Sequence, residues 1–386
     1  MNIDEFLHLK GADRASLVAS AQSLAELDES GVLLAVGSLA EGIGTIKSDM
    51  DLILVTPRDV GVAPHEIVSW VVGKCIVDCR VLSSTYVEGL LSRLDEWSRM
   101  PWDVTKPADF SYDELLLLHR LSAGVVLAPV ERGDNVPKVR PSRRKVARLK
   151  LQGARHMART YQVDMAGLKD AADFRSLVFA AQELLGHAVD GLLAAFMQTN
   201  PTPKWRSRLL EALPGDWETR LVLHPTGLQA HQLLWRLHRI PEEADEASCL
   251  AYGYRVTTFA RAAFLLAEQK VLGDGPDETR RCRWPAEAPQ RGRVPLPNLE
   301  LDVDFRLLDD GVAVGRLNEL GASTSLTSAE FLMMLLFDGV TTVREAEWVV
   351  EDAFGGEPSG EAVYRSVCEK CRAYLVPTLD PNAGPD

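Results

Sequence analysis

Apolar positions change period several times along the chain, and each change marks an element. Phe6, Leu7 and Leu9, then Leu17, Val18, Ala21, Leu24 and Leu27, recur at helical spacing and predict one or two helices over 3–29. Val32 to Val36 is a short β-prone run that Gly37-Ser38 breaks. Leu39 to Lys47 carries two more glycines, and a second strand restarts over Asp49 to Val55. His65 to Val72 follows Pro64 at helical spacing and predicts a helix, whereas Lys74 to Leu82 predicts a strand. Residues 30–85 therefore predict strand, turn, strand, helix, strand: a small mixed sheet with helices on one face. Ser84 to Trp97 predicts a further helix, and 100–110, with two prolines, a loop. Ser111 and Glu114 have capping-box spacing at the start of a helix to about Ser122, and Gly124 to Pro129 is strand-like.

From 142 to 272 the period is helical throughout. Segments Ser142–Tyr161, Asp170–Met197, Trp205–Leu213, Leu228–Arg239 and Glu246–Leu272, joined by short loops, predict a bundle. Residues 273–297 are rich in Gly, Pro, Arg, Asp and Glu without a period, and predict a linker. Leu299 to Phe305 then alternates strictly, as a strand does, and Asp309-Asp310-Gly311 predicts a hairpin turn into Val312–Leu317. Three helices complete the pattern, over Ser325–Phe337, Gly339–Phe354 and Gly360–Tyr374. The expected class is α+β: a mixed-sheet domain over 1–135, a helical bundle over 136–272, the linker, and a small β-plus-three-helix domain over 298–386.

Composition adjusts this picture little. The chain has 386 residues, 46% apolar and 25% charged, which suits two or three globular domains. A net charge of −13 argues against broad nucleic-acid binding, which relies on basic surface. The local basic stretch Arg140 to Arg148 reads as a solvated helix start or as a contact for a triphosphate or acidic partner. Six cysteines and no signal-like N-terminal run suggest a reducing cytoplasm. The apolar stretch Phe174–Met197 is interrupted by Arg175, Glu183, His187 and Asp190, as expected of a buried helix rather than a membrane span. Cys368 and Cys371 have the spacing of half a zinc site, with no second pair following. Cys75 and Cys79 read as packed strand residues.

The candidate chemistry lies around the Gly37-Ser38 break. Alternate strand side chains share a face, so Asp49 and Asp51 point one way and Met50 and Leu52 the other. Two carboxylates on one face repel unless a cation sits between them, and magnesium is the natural occupant when phosphates supply its other ligands. Gly37 lets backbone approach a triphosphate, and Ser38 adds a hydroxyl donor. Asp78, in the middle of the later strand, would join the same metal site if that strand pairs beside the first two acids. This set fits metal-assisted in-line attack on a nucleotide phosphate.

Gly-Ser, a ten-residue spacer, Asp-x-Asp and a later apolar-Asp-apolar strand resemble the nucleotidyltransferases of the DNA polymerase β superfamily. The small bacterial branch that includes aminoglycoside adenylyltransferases looks nearest, over roughly residues 30–85. The resemblance implies Asp49, Asp51 and Asp78 as catalytic metal ligands for two magnesium ions. It implies Gly37, Ser38, Lys47 and Ser48 as triphosphate contacts, with ATP or another triphosphate as co-substrate. A bundle after such a core again resembles the antibiotic-modifying branch, where it helps form the acceptor pocket.

Two features of the bundle read either way. Glu183, His187 and Asp190 share a helix face, as a general base for an acceptor hydroxyl or as a polar stripe facing solvent. Lys204, in a Pro-rich turn before Trp205, would reach a phosphate or remain structural. The C-terminal pattern resembles, more loosely, the winged-helix PqqD-like domains that bind leader peptides, and implies a peptide held as an added strand. The last helix carries Glu361 and Glu369 beside Arg365, Lys370 and Arg372, a poor match to a DNA-recognition helix. The expected activity is transfer of a nucleotide monophosphate to a peptide acceptor or to a small molecule such as an aminoglycoside. A non-catalytic, antitoxin- or regulator-like binding protein is the alternative outside enzymes.

Overall fold

A computed structural model describes residues 1–24, 31–57, 66–128, 139–213, 221–223, 230–272, 292–317, 319 and 323–376. The expected boundary near 135 and most of the expected linker, 273–291, lie outside these residues. The chain forms two compact units. One comprises 1–103, 108–150 and 199–201, the other 104–107, 151–198 and 202–386.

The first unit is built on a five-stranded mixed sheet. Helices α1 (Ile3–Leu9) and α2 (Arg14–Leu24) precede β1 (Val32–Val36). A single helical turn, α3 (Gly37–Ala40), follows β1, and then come β2 (Met50–Thr56), β3 (Ile67–Val72) and β4 (Cys75–Ser83). Helices α4 (Ser84–Ser98) and α5 (Tyr112–Ala123) lead to β5 (Val125–Ala128). The spatial order is β3-β4-β2-β1-β5. The β2–β4 pair is parallel and the other three pairs are antiparallel.

Alternation along the strands builds two cores. Met50, Leu52, Leu54, Cys75, Val77 and Cys79 face one way and pack with Phe6, Leu7 and Leu17 of α1 and α2. Val36, Ile53 and Val55 face the other way and pack with Val87, Leu90, Leu117 and Leu121 of α4 and α5. Helices therefore cover both faces, not one as the sequence suggested. The expected helix over 65–72 is also overturned, since Ile67–Val72 is a strand. Its half-buried Val68, Trp70 and Val72 alternate with exposed Ile67, Ser69 and Val71, and Gly73, at φ +61°, turns the chain into β4. Cys75 and Cys79 are buried strand residues, and burial pushes the Cys79 thiol up to about 12.

The basic stretch is a solvated helix start at Arg143 and Arg144, both exposed, flanked by engaged cations. Arg140 donates to the Gly124 carbonyl at 2.5 Å, Lys145 pairs with Asp95 at 2.5 Å, and Arg148 donates to the carbonyls of Ser98 and Met100.

The boundary between units falls inside α6 (Arg143–Asp170). The helix runs nine residues past the expected end at Tyr161. It stops where Ala172 takes a positive φ and Asp173 caps α7 (Phe174–Ala195). Then come α8 (Arg206–Glu211), α9 (Ala230–Leu237) and α10 (Glu246–Leu272). Helix α7 is long and apolar enough to cross a membrane, but 72% of its apolar window is buried, mostly against α10. The same unit contains an antiparallel sheet, β6 (Val303–Leu307), β7 (Val312–Arg316) and β8 (Ser323–Leu326), in that order. Helices α11 (Ser328–Leu335), α12 (Val343–Phe354) and α13 (Gly360–Lys370) follow it.

Residues 292–299, the end of the expected linker and start of the expected strand, are pinned to this module. Leu296 donates its N–H to the Thr341 carbonyl at 2.8 Å, and Leu299 bridges to Leu375. The strict alternation from Leu299 is real but ladders only from Val303. Leu299, Leu301, Val303 and Phe305 are buried, and so are the intervening Asp302 and Asp304. Asp302 faces Arg316 of β7 at 3.6 Å, whereas Asp304 meets bundle cations. Arg155 Nη2 lies 2.6 Å from Asp304 and its Nε 2.8 Å from Glu268, with the guanidinium 4.9 Å from the ring centroids of both Phe264 and Phe305. Arg159 takes the other Asp304 oxygen at 2.6 Å. Arg261 donates to the carbonyls of Val303 and Glu300, and burial pushes its guanidinium down to about 10.

Candidate functional site

The site expected from the sequence falls at one end of the first unit's sheet. Strand β2 resumes at Met50 after the loop that starts with Gly37, so Asp49 stands at its mouth and Asp51 inside it. Parity puts Asp51 on the face of Ile53 and Val55, away from buried Met50 and Leu52. Register then aligns a row across four strands: Val36, Asp51, Asp78, Ser69. Asp51 and Asp78 are thus nearest neighbours on adjacent parallel strands. Asp49, on the same parity two positions earlier, is exposed.

Each acid in the row has a neighbour that steadies it. Ser69 donates its hydroxyl to Asp78 Oδ1 at 2.6 Å. Arg120, from α5, approaches Asp51 Oδ1 at 3.4 Å. Gly37 sits against the other Asp51 oxygen. Its φ is +70°, and a Cβ there would lie 2.3 Å from Oδ2. Only glycine meets both demands.

The loop between the two acids and the glycine is closed on itself. The Ser38 carbonyl accepts from Ile43 N at 2.9 Å and Gly44 N at 2.8 Å. Ser48 Oγ accepts from Thr45 N at 2.9 Å and comes within 3.5 Å of Ser38 Oγ. Lys47 is exposed on the same turn. Behind it, Glu41 Oε1 accepts from Asn200 Nδ2 at 2.9 Å and lies 3.2 Å from His119 Nε2. His119 Nδ1 lies 2.8 Å from the Thr199 hydroxyl, so with Nε2 donating to Glu41 it accepts from Thr199. This buried relay anchors the residues that follow Gly37-Ser38.

Gly37, Ser38, Ser48, Asp49, Asp51 and Asp78 are therefore brought to one region. Among the described residues, no three His, Cys, Asp or Glu side chains gather into a ready metal cage, so the expected set of three metal-binding carboxylates does not close as it stands. The in-register Asp51 and Asp78 match what magnesium needs from protein when phosphates complete its shell, one or two carboxylates.

Glu183 and Lys204 belong to the second unit. Glu183 is exposed on α7 and lines an open cavity of about 680 Å³ with Tyr161, Asp164 and Phe179. Its two stripe neighbours are engaged. Asp190 accepts from Arg206 at 2.6 Å, and the His187 ring stacks on Tyr161 at 5.6 Å. Burial first, and Arg206 second, hold the His187 imidazole below its usual range against the pull of Asp190 and Glu183. Lys204 Nζ lies 5.1 Å from the Trp205 ring centroid. Cys371 is buried, with its thiol pushed up to about 11 by burial, which suits packing rather than metal binding.

Arg120, Ser69, Glu41 and His119 did not stand out in the sequence. Ser69 was hidden by the helical reading of its segment; read as a strand, its parity places it opposite Asp78.

No family model and no curated protein matches this sequence. Among solved structures, the fold is similar to that of a nucleotidyltransferase-like protein from Exiguobacterium sibiricum. The two are 14% identical over 67% of this chain and 78% of that one, with a TM-score of 0.33.

Proposed function

We propose that this chain is a magnesium-dependent nucleotidyltransferase that moves a nucleotide monophosphate, AMP in the default reading, onto an acceptor hydroxyl. The observation that carries the reading is the in-register pair Asp51 and Asp78, with Asp49 on the same parity and Gly37 pressed against Asp51. Asp51 and Asp78, with Asp49 at the strand mouth, would hold magnesium. Bound there, it would offset charge on the α-phosphate and the departing pyrophosphate. Backbone at Gly37 and the hydroxyls of Ser38 and Ser48 receive the triphosphate, with Lys47 as an exposed countercharge. The acceptor oxygen bonds to the α-phosphorus as the bond to the β-phosphate oxygen breaks, and pyrophosphate leaves with that electron pair. The acceptor's proton goes to a carboxylate of the same sheet, Asp78.

The test is label transfer from α-phosphate-labelled triphosphates with magnesium, offered peptides and aminoglycosides as acceptors. Asp51→Asn should lower transfer by about 100-fold or more, as loss of a group that organises transition-state charge does. Unchanged activity in that variant would remove the enzyme reading and leave a binding protein. An Asp78→Asn variant should bind triphosphate but fail to transfer; one that transfers normally removes Asp78 from the reaction.

Two acceptor readings each have an observation behind them. Strand β8 is an edge strand with β7 on one side, the geometry a peptide extends by strand addition. The cavity at Glu183, with Asp164, Tyr161 and Phe179, suits a small cationic acceptor instead. The acceptor panel decides between them.

A further inference from the structure

The second unit holds another cavity, of about 540 Å³, between α9, α10 and the turn at Asp338–Val340. Its apolar lining comes from Leu233, Leu237 and Phe259, and the latter two are buried. Two guanidiniums, Arg236 of α9 and Arg255 of α10, also line it. Burial holds the Arg255 guanidinium below its ordinary range; Tyr252, whose ring lies 5.5 Å away, opposes this, and Arg236 adds to it more weakly. Among the described residues no carboxylate pairs with either guanidinium. The carboxylate that lines the cavity, Asp338, is spent on its own turn. Its Oδ1 accepts from Val340 N at 2.8 Å and Thr341 N at 2.7 Å, and its Oδ2 from the Thr341 hydroxyl at 2.9 Å.

These two like charges, exposed at the rim of a half-open apolar space, lack a countercharge that the fold itself supplies elsewhere. Arg155, Arg159, Lys169 and Arg206 of the same unit each have a carboxylate within 2.8 Å. The volume lies in the range of small-molecule sites, and paired guanidiniums suit carboxylate and phosphate oxygens through parallel N–H donors. We propose that this cavity binds a small amphipathic anion, a carboxylate or phosphate monoester on a short apolar body. Arg236 and Arg255 hold the anion, and Leu233, Leu237 and Phe259 cover the apolar part. The site is independent of the transferase reading, since it uses none of the residues at the sheet.

Isothermal titration of the full chain tests it, with octanoate and phenyl phosphate as probes and octanol and inorganic phosphate as their halves. At least one probe is expected to bind saturably, and both halves at least about 10-fold more weakly. The double substitution Arg236→Gln, Arg255→Gln should weaken that probe by about 10-fold or more, the size of a lost charge-assisted hydrogen bond. Arg255→Lys keeps the charge but not the fork, and should fall between; it reads the same question if the double variant folds poorly. Asp51→Asn should leave the affinity unchanged. Which probe binds separates carboxylate from phosphate ester. The proposal is overturned if neither probe saturates by about 10 mM, or if affinity is the same in both arginine variants as in the parent chain.

Discussion

A Cβ on Gly37 would sit 2.3 Å from Asp51 Oδ2, at a φ of +70° that side chains rarely adopt. Gly37→Ala should therefore cost about 1–3 kcal/mol in backbone strain and swing the Asp51 carboxylate away. Chemical denaturation reads the first effect, and label transfer the second. A variant as stable and as active as the parent would show that the close approach is unimportant. Arg155 poses the opposite case, a charge 1% exposed between two carboxylates and two phenylalanine rings. Burial opposes its charge, but Asp304 and Glu268 more than restore it. Arg155→Met would leave those carboxylates without their shared cation, and should destabilise by about 3–5 kcal/mol, measured by denaturant unfolding. Burial holds the His187 imidazole below its ordinary range. Its folded value lies below the ordinary 6.5, so as pH falls through 6.5 the unfolded chain takes up the proton first and stability is lost. Above that range the residue contributes nothing to pH dependence. His187→Gln should flatten the drop in melting temperature between pH 7.5 and 5.5, though not abolish it, because His238 shifts the same way. An identical drop in both proteins would refute the assignment.

At the scale of elements, the segments legible in the sequence were those with one dominant signal. Val32–Val36, the β2 restart and the Asp78 strand were clear because apolar alternation and glycine punctuation agree there. The Ser111 capping box was legible for the same reason and forms as written: Glu114 N donates to Ser111 Oγ at 3.2 Å and Ser111 N to Glu114 at 2.8 Å. Ser111→Ala should lower stability by about 1 kcal/mol through that cap, visible as a small shift in denaturation midpoint. Strand β3 was missed because a run of valines, one isoleucine and a tryptophan satisfies helical and strand spacing over so few residues. Strand β8 was missed because Ser323–Leu326 is an edge strand with a single buried side chain, which leaves almost no periodic signal. The acids of β6 misled differently. Asp302 and Asp304 alternate with leucine, valine and phenylalanine as solvent-facing residues would, yet both are buried, Asp304 because Arg155 and Arg159 on the bundle meet it and Asp302 near Arg316 of β7. Partner charge from 149 residues away is not written in a local window. The site shares this limit: its acids and glycine were readable from spacing, whereas Arg120 and His119 enter from a helix whose own pattern is simply apolar.

For the molecule, the sequence pattern suggests a bundle and a C-terminal module joined by a linker, and both lie within one compact unit. A stop after Leu272 would remove Asp304 and the Glu300 and Val303 carbonyls that Arg155, Arg159 and Arg261 engage. The shortened chain is expected to lose the cooperative melting of that unit rather than yield a tidy two-domain enzyme. A truncated protein that melts cooperatively at the parent's temperature would contradict this. For the same reason, substitutions on β8 are the cleaner way to ask whether the C-terminal module recruits an acceptor. The reach of Arg155 also bears on the order of synthesis. The chain emerges from its N-terminus, so the arginine is made 113 residues before Glu268 and 149 before Asp304. At about 5–20 residues per second, that separation leaves the charge waiting roughly 7–30 s for its second partner. Until Glu268 is made the cation has neither of its carboxylates, and until Asp304 is made it has only one, so its full pairing waits on synthesis of the C-terminal module.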